Sequence, residues 1–147
     1  MISKKLTKKT FISLILCLSF TLNAEAKPNR LNKKIRIVAL TSLTADPVNT
    51  ISKDSLVGIP GSSILKKNKE FDSIPIVSSG RMPPDLEKII SLKPDLVIGA
   101  KGFHDRPLLK LNSLGINTLS TYISSLNDLD ILYKQIASKL KTQTKSI

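Results

Sequence analysis

Four short apolar runs, rich in β-branched residues, recur along the chain and are typical of buried strands, and a fifth, more polar segment is also predicted as a strand. Polar segments or residues with helical spacing separate them, as in a protein whose strands and helices alternate. The third run contains Pro75, which has no N–H to donate, so this strand is expected at a sheet edge or to begin only at Ile76. The five predicted strands cover residues 35–40, 56–59, 74–77, 96–99 and 117–121.

The first two predicted helices follow the first and third runs. The first helix is expected to begin near Thr44, because Thr44 or Asp46 can cap it and Pro47 suits a first helical turn. The second follows Pro-Pro-Asp, where Asp85 is a good N-cap. Its apolar residues fall on one face at helical spacing, and they are Leu86, Ile89 and Ile90.

Two further helices are predicted in the second half of the chain. One covers residues 107–114 and ends at Gly115, a residue suited to a left-handed cap. The last begins at Asn127 or Asp128. The lysine-rich segment 62–72 is expected to be a loop or a weak helix. The apolar side of the last helix consists of Leu129, Leu132, Tyr133, Ile136 and Leu140.

Alternating strands and helices predict right-handed βαβ units around a parallel sheet, so the expected fold class is α/β. Ligands of such sheets bind beyond the carboxyl ends of the strands. The side chains expected there are hydroxyls and cations, together with a glycine beside which the backbone can approach a ligand. The predicted ligand-binding residues are Thr41, Ser42, Ser62, Gly80, Arg81 and Lys101.

Other chemistry has little support in the sequence. Neither a dinucleotide-binding glycine motif nor a phosphate loop occurs. His104 is the only histidine, and it is expected to be an exposed loop residue. One histidine is too few for a bare transition-metal site, and no serine lies in a nucleophile-elbow motif. No catalytic residue, metal site or cofactor is therefore predicted, although a small hydrolase that depends on His104 remains an alternative.

The N-terminus has the order of a secretory signal peptide. Four lysines precede an apolar run at 11–22, and Ala24-Glu25-Ala26 supplies a signal-peptidase site. As a helix, this run rises only about 18 Å, against about 30 Å for a hydrocarbon core, so a membrane anchor is less favoured. Acylation of Cys17 is a second alternative, disfavoured by the large Leu16 before it. We expect cleavage after Ala26, export to the periplasm and no membrane span thereafter.

Charge and length narrow the classes of function. The 147-residue chain has a net charge of +12. Removing the signal peptide takes away four lysines, one glutamate and the only cysteine, which leaves a charge of +9. The basic residues are dispersed and few aromatic residues accompany them, so nucleic-acid binding is not expected. The length allows one domain and excludes a multidomain enzyme.

Several segments resemble the N-terminal lobe of periplasmic binding proteins for ferric siderophores, haem and cobalamin. The most specific is LEKIISLKPDLVIG at residues 86–99, and further similarity lies at 36–40, 56–59, 111–116 and 125–128. The resemblance implies a Rossmann-like lobe with a short parallel sheet flanked by helices. It also implies a protein that delivers an iron complex, such as a ferric siderophore or ferric citrate, to an ABC permease in the inner membrane.

The resemblance also suggests roles for individual residues. Glu87 matches an exposed glutamate with which family members dock onto the permease, although a glutamate in a first helical turn is favoured in any case. Asp46 stands where many members have glutamate. No aromatic residue follows Gly80, where some members place a ring against a corrin. Arg81 at this place favours an anionic iron chelate over cobalamin.

The resemblance implies two lobes joined by a long helix, of which this sequence is expected to supply only the first, with the second lobe absent. The expected organisation is a signal peptide at 1–26, a linker at 27–34, the lobe at 35–141 and a tail at 142–147. One lobe cannot enclose a ligand, so weak chelate binding is expected. An exported interaction module, which would pair with another chain, and a non-functional fragment of an interrupted gene remain alternatives.

Overall fold

The computed structural model describes residues 34–79 and 82–145. The predicted signal peptide lies outside the described residues. Three short 3₁₀ turns accompany the strands and helices, at Lys53–Ser55, Leu65–Lys67 and Lys69–Phe71. The strands are β1 (Ile37–Ala39), β2 (Leu56–Pro60), β3 (Ile76–Ser78), β4 (Leu96–Ala100) and β5 (Asn117–Thr121), and the helices are α1 (Ser42–Ser52), α2 (Leu86–Ser91), α3 (Asp105–Ser113) and α4 (Leu126–Lys145).

All five strands are parallel and form one sheet in the order β3-β2-β1-β4-β5. The chain winds outward from β1 to β3, returns to the centre at β4 and continues to β5. The predicted α/β lobe with a short parallel sheet flanked by helices is therefore confirmed. The winding direction changes between β1 and β4, and ligands of open α/β sheets bind at such switch points.

Helices cover both faces of the sheet, which explains why the sequences of the central strands β1 and β4 are apolar without alternation. Ile37 and Ala39 of β1 face a core that includes Val48 of α1 and Ile136 of α4. The intervening residue Val38 faces a second core. This second core is completed by α2 and α3, through Ile89, Leu108 and Leu111.

The predicted start of the first helix is wrong, because α1 begins at Ser42, two residues before Thr44. Thr41 is its N-cap, and the Thr41 Oγ1 accepts a hydrogen bond from the Thr44 N–H over 3.2 Å. The buried Thr44 hydroxyl donates in turn to the Thr41 carbonyl over 3.0 Å. Pro47 consequently lies inside the helix rather than in its first turn. Its missing N–H removes only the bond to Leu43.

The predicted caps of the last helix also need correction. Ser125, not Asn127 or Asp128, precedes α4, and its Oγ accepts from the Asp128 N–H over 3.2 Å. The Asp128 carboxylate accepts in return from the Ser125 N–H over 2.9 Å. This reciprocal arrangement is a capping box, so Asp128 belongs to the first turn. Gly115 has a φ of 82° just after α3, as its predicted capping role requires.

Strand β3 is an edge strand that begins at Ile76, in agreement with the expectation from Pro75. The carbonyl of Val77 accepts a hydrogen bond from the Asp85 N–H over 2.8 Å. Asp85 is also the predicted N-cap of α2, and its carboxylate accepts from the Lys88 N–H over 2.9 Å. The segment before β3, expected to be a loop or weak helix, forms two of the 3₁₀ turns and buries Leu65 and Phe71.

Candidate functional site

The carboxyl edge of the sheet brings together the loops that follow the five strands. Thr41, directly after β1, is half-buried. Its hydroxyl lies 3.0 Å from that of Thr44 and caps α1. Ser42, the first residue of α1, is also half-buried. These two predicted residues lie at the switch point, but the cap already occupies the Thr41 oxygen.

Ser62 follows β2 and is engaged in a local turn. Its Oγ accepts from the Ile64 N–H over 3.2 Å, and its own N–H donates to the Pro60 carbonyl over 2.9 Å. Its oxygen therefore stabilises the loop. The hydroxyl proton, by contrast, can still be donated to a ligand.

Lys101 is the predicted cation that the structure places at the switch point. Its backbone N–H donates to the Thr121 carbonyl over 2.8 Å and so continues the pairing of β4 with β5. Its side chain is exposed and forms no ion pair within residues 34–79 and 82–145. Gly80 and Arg81 lie outside the described residues. Arg106 is exposed in the first turn of α3.

His104 is buried, contrary to the expectation of an exposed loop residue, and only 5% of its surface is accessible. It occupies the N-cap position of α3, and its Nδ1 accepts a hydrogen bond from the Ala100 N–H over 3.1 Å. Gly99 makes room for the imidazole, because a Cβ at Gly99 would lie 2.9 Å from the His104 Cβ. Burial lowers the pKa of His104 below its ordinary value.

The carboxylate next to this histidine does not orient it for catalysis. Both oxygens of Asp105 accept from the Gly102 N–H over 3.0 Å, which closes the turn before α3. A catalytic histidine needs an orienting acid and a nucleophile in reach. Among the described side chains, the hydrogen bonds of His104 include neither. The arrangement therefore gives no support to the hydrolase alternative.

Five large apolar side chains also lie at this edge, and the sequence patterns did not single them out. Each follows a different strand within four residues, and each has more than half of its surface exposed. We call this set the apolar rim. Counting up to five residues beyond the end of each predicted strand would have identified these side chains from the sequence. The rim consists of Leu43, Ile64, Met82, Phe103 and Tyr122.

Glu87, the predicted docking residue, lies in the first turn of α2 and is exposed. Its carboxylate takes part in no ion pair within the described part of the chain. Helix α2 follows β3, so its N-terminus points to the same edge of the sheet as the candidate site.

Neither a cluster of metal ligands nor a membrane-spanning helix is found among the described residues. The described residues contain no group of three His, Cys, Asp or Glu side chains that could hold a metal ion. None of the helices described here is long and apolar enough to cross a membrane. A depression of about 120 Å³ lies near β2 and β3, too small for a chelate. Its lining includes Ile59, Leu65, Phe71, Ile74 and Ile76.

Comparison with solved structures agrees with this architecture. An ABC transporter substrate-binding protein from Listeria monocytogenes EGD-e is 26% identical, with a TM-score of 0.62 over 78% of this chain and 44% of its own. The periplasmic heme-binding protein RhuT from Roseiflexus sp. RS-1 is 19% identical, with a TM-score of 0.60 over 74% and 44%. The periplasmic vitamin B12 binding protein BtuF of Vibrio cholerae is 19% identical, with a TM-score of 0.55 over 74% and 48%.

The chain thus spans less than half the length of each of these three proteins. Among curated proteins, none matches this sequence. The family model described as periplasmic binding protein matches residues 37–145, a range that includes every strand and helix of the sheet and its two helical layers. The resemblance stated from the sequence is confirmed, and the chain belongs to the periplasmic binding protein family.

Proposed function

We propose that this chain is the solute-binding component of an ABC importer for iron complexes, exported to the periplasm, and not an enzyme. The single observation that supports the ligand class is the combination of the apolar rim with the unpaired Lys101 at one edge of the sheet. An apolar surface with one cation suits a ligand that has an apolar body and negative charge. A ferric siderophore with a net negative charge has both properties.

Ferric citrate shares the negative charge but offers little apolar surface. The apolar rim therefore favours a ferric siderophore over ferric citrate, since buried apolar area contributes about 25 cal/mol per Å². Binding by the described residues alone is expected to be weak. They form an open face that covers one side of a ligand, whereas small-molecule sites usually bury most of the ligand surface.

Titration of the chain from Lys27 onward with ferric siderophores and ferric citrate tests this proposal. We expect weak binding that Lys101→Glu weakens by about tenfold, because attraction becomes repulsion. Lys110→Glu is the matched control, since Lys110 is also an exposed lysine but lies in the last turn of α3. Tight one-to-one binding, or equal effects of the two substitutions, would contradict the proposed mode of binding.

Transport is proposed to involve docking of Glu87 on a permease. Support comes from its exposure and from the absence of an ion pair with the described residues, which leave the carboxylate available to a basic partner. In cells, loss of the gene is expected to reduce uptake of radioactive iron from the preferred chelate. Unchanged uptake from every chelate that the chain binds would contradict a role in import.

An exported interaction module is the second candidate, and the apolar rim is also the observation that favours it. Apolar side chains with such exposure at one edge are typical of surfaces that a protein partner covers. Phe103→Ser separates the two candidates. Loss of chelate binding supports the solute-binding function, whereas loss of association with a co-expressed chain, with chelate binding unchanged, supports the module.

A further inference from the structure

The only histidine of the sequence lies where the winding of the sheet changes direction. His104 follows β4, next to β1, and is 95% buried. Its ring meets the ring of Phe103 edge-on, with the centroids 4.8 Å apart and the planes at 77°. The bond from Ala100 and the close approach of Gly99 fix the other side of the residue. The imidazole is therefore held in one orientation.

The bond from Ala100 also determines which ring nitrogen has the proton. A backbone amide can only donate, so the Nδ1 that accepts from it over 3.1 Å must be unprotonated. In a neutral imidazole the proton then lies on Nε2, on the side of the ring away from the amide. Neither nitrogen has a lone pair to offer a metal ion, because that of Nδ1 is engaged and that of Nε2 is protonated.

No described residue accepts a hydrogen bond from Nε2–H, and the atom still reaches solvent, because among the described residues the only fully buried side-chain polar atom without a partner is Asn49 Oδ1. A donor that water can reach is also open to the oxygen atom of a ligand that displaces this water. The oxygen atoms of an anionic chelate approach this same edge in the proposed function. Lys101, three residues earlier, supplies the charge, while His104 can supply a directed hydrogen bond.

We propose that His104 is a fixed hydrogen-bond donor, through Nε2–H, to an oxygen atom of the bound chelate, and is not a ligand to its metal. This inference rests on the proposed function, because it requires that the chelate bind at the carboxyl edge. It assigns His104 a specificity role: chelates with an outward-facing oxygen at this position are preferred over those without one.

Nitrogen NMR of the imidazole tests, without any ligand, the first part of the proposal, which is that the proton lies on Nε2. A single histidine gives one unambiguous pair of ring signals. At neutral pH we expect the Nε2–H tautomer, with the proton coupled to Nε2 only. A dominant Nδ1–H tautomer would overturn the proposal directly, whatever the chain binds.

The second part of the proposal, that Nε2–H donates to the bound chelate, is tested by adding the gallium complexes of citrate and of a siderophore. These complexes are diamagnetic, so the signals remain visible. We expect the Nε2–H signal to shift together with the amide signals of Thr41, Ser42 and Lys101. Shifts of these amides with an unchanged His104 would overturn the donor role alone. The absence of any shift would overturn the proposed function and the donor role with it.

A substitution separates the donor role from the structural role of the ring. In His104→Asn, the amide oxygen can still accept from the Ala100 N–H, but no donor stands at the place of Nε2. We expect binding of the ferric siderophore about tenfold weaker in a variant that remains folded, together with a lower melting temperature, because a smaller side chain replaces a buried ring. Unchanged affinity in a folded His104→Asn variant would contradict the proposal. If this variant does not fold, the shift measurements on the unsubstituted chain decide.

Discussion

The guanidinium group of Arg36 donates two hydrogen bonds to the carbonyl oxygen of Leu92, from Nε over 3.0 Å and from Nη2 over 2.7 Å. Leu92 follows α2, where the last carbonyl groups of a helix lack partners within it. The Arg36 N–H also donates to the Asp95 carboxylate over 2.9 Å. The start of β1 is thus tied to the turn between α2 and β4, in which Lys93 has a φ of 47°.

Arg36→Ala is expected to lower the free energy of unfolding by about 2 kcal/mol, because it removes a charge-assisted pair of bonds and leaves the Leu92 carbonyl without them. Arg36→Lys should lose about half of this, since an ammonium group cannot reproduce the planar fork. Urea unfolding measures the free energy of unfolding of both variants. Arg106→Ala is the control, expected within about 0.5 kcal/mol of the unsubstituted chain. Similar losses at both arginines would contradict the role of the clamp.

Gly99→Ala is expected to destabilise the chain by about 1–3 kcal/mol, because its new methyl group would lie 2.9 Å from the His104 Cβ and 3.2 Å from the Leu108 Cδ1. Thermal unfolding gives the loss, and Ser120→Ala, at an exposed position of β5, is the control. A stable Gly99→Ala variant with an unchanged His104 signal would show that β4 and α3 have more room than the structure indicates.

Stability should fall as the pH drops through 6.5, because burial lowers the pKa of His104 in the folded chain below its ordinary value of 6.5. Above pH 6.5 the imidazole is neutral in both the folded and the unfolded chain, and the full stability is present. Below it the unfolded chain takes up the proton first, so unfolding is favoured as the pH falls. The neighbouring Asp105 opposes this shift. Melting temperatures measured at a series of pH values above and below 6.5 give the size of this effect. The melting temperature of His104→Asn should not change with pH in this region.

A second loss of stability is expected only below about pH 4, so it can be distinguished from the loss that His104 causes at higher pH. The Ser124 N–H, with the hydroxyls of Ser125 and Ser124, holds the pKa of Asp128 below its usual 3.8. The stabilisation is present above this value and is lost as the carboxylate gains a proton. Asp128→Asn should reduce the loss at low pH and leave the step near neutrality unchanged. A change in the upper step would contradict the assignment to His104.

Glu87→Gln is expected to reduce chelate uptake by cells without changing chelate affinity or melting temperature. The reason is that the exposed carboxylate contacts no charged partner in the described chain, so only an external partner would detect its loss. Asp72→Asn, which removes another exposed negative charge, is the control. Equal uptake by both variants would contradict the proposed docking contact.

The central strands could be predicted because burial on both faces makes their sequences continuously apolar, as in β4, whereas the edge strand β5 is mostly polar and partly exposed. The helix starts were harder, since Thr44 and Asp128 are typical capping residues that here bond back to an earlier Thr41 and Ser125. At the site, the sequence identified Lys101 as a cation beyond the end of β4, where the structure shows it exposed, and its role in ligand binding stays a prediction. It could not predict the burial of His104, which depends on the space above Gly99 and on how the loop folds back.

The bond between the Asp85 N–H and the Val77 carbonyl affects how copies of this protein meet one another. An edge strand with free backbone groups is a template on which a foreign strand can add, and repeated addition leads to fibrils. Asp85 already occupies the Val77 carbonyl, whereas the Pro75 and Ser78 carbonyls bond to β2. One acceptor that a foreign strand would need at the β3 edge is therefore taken, which disfavours strand addition when the protein is concentrated.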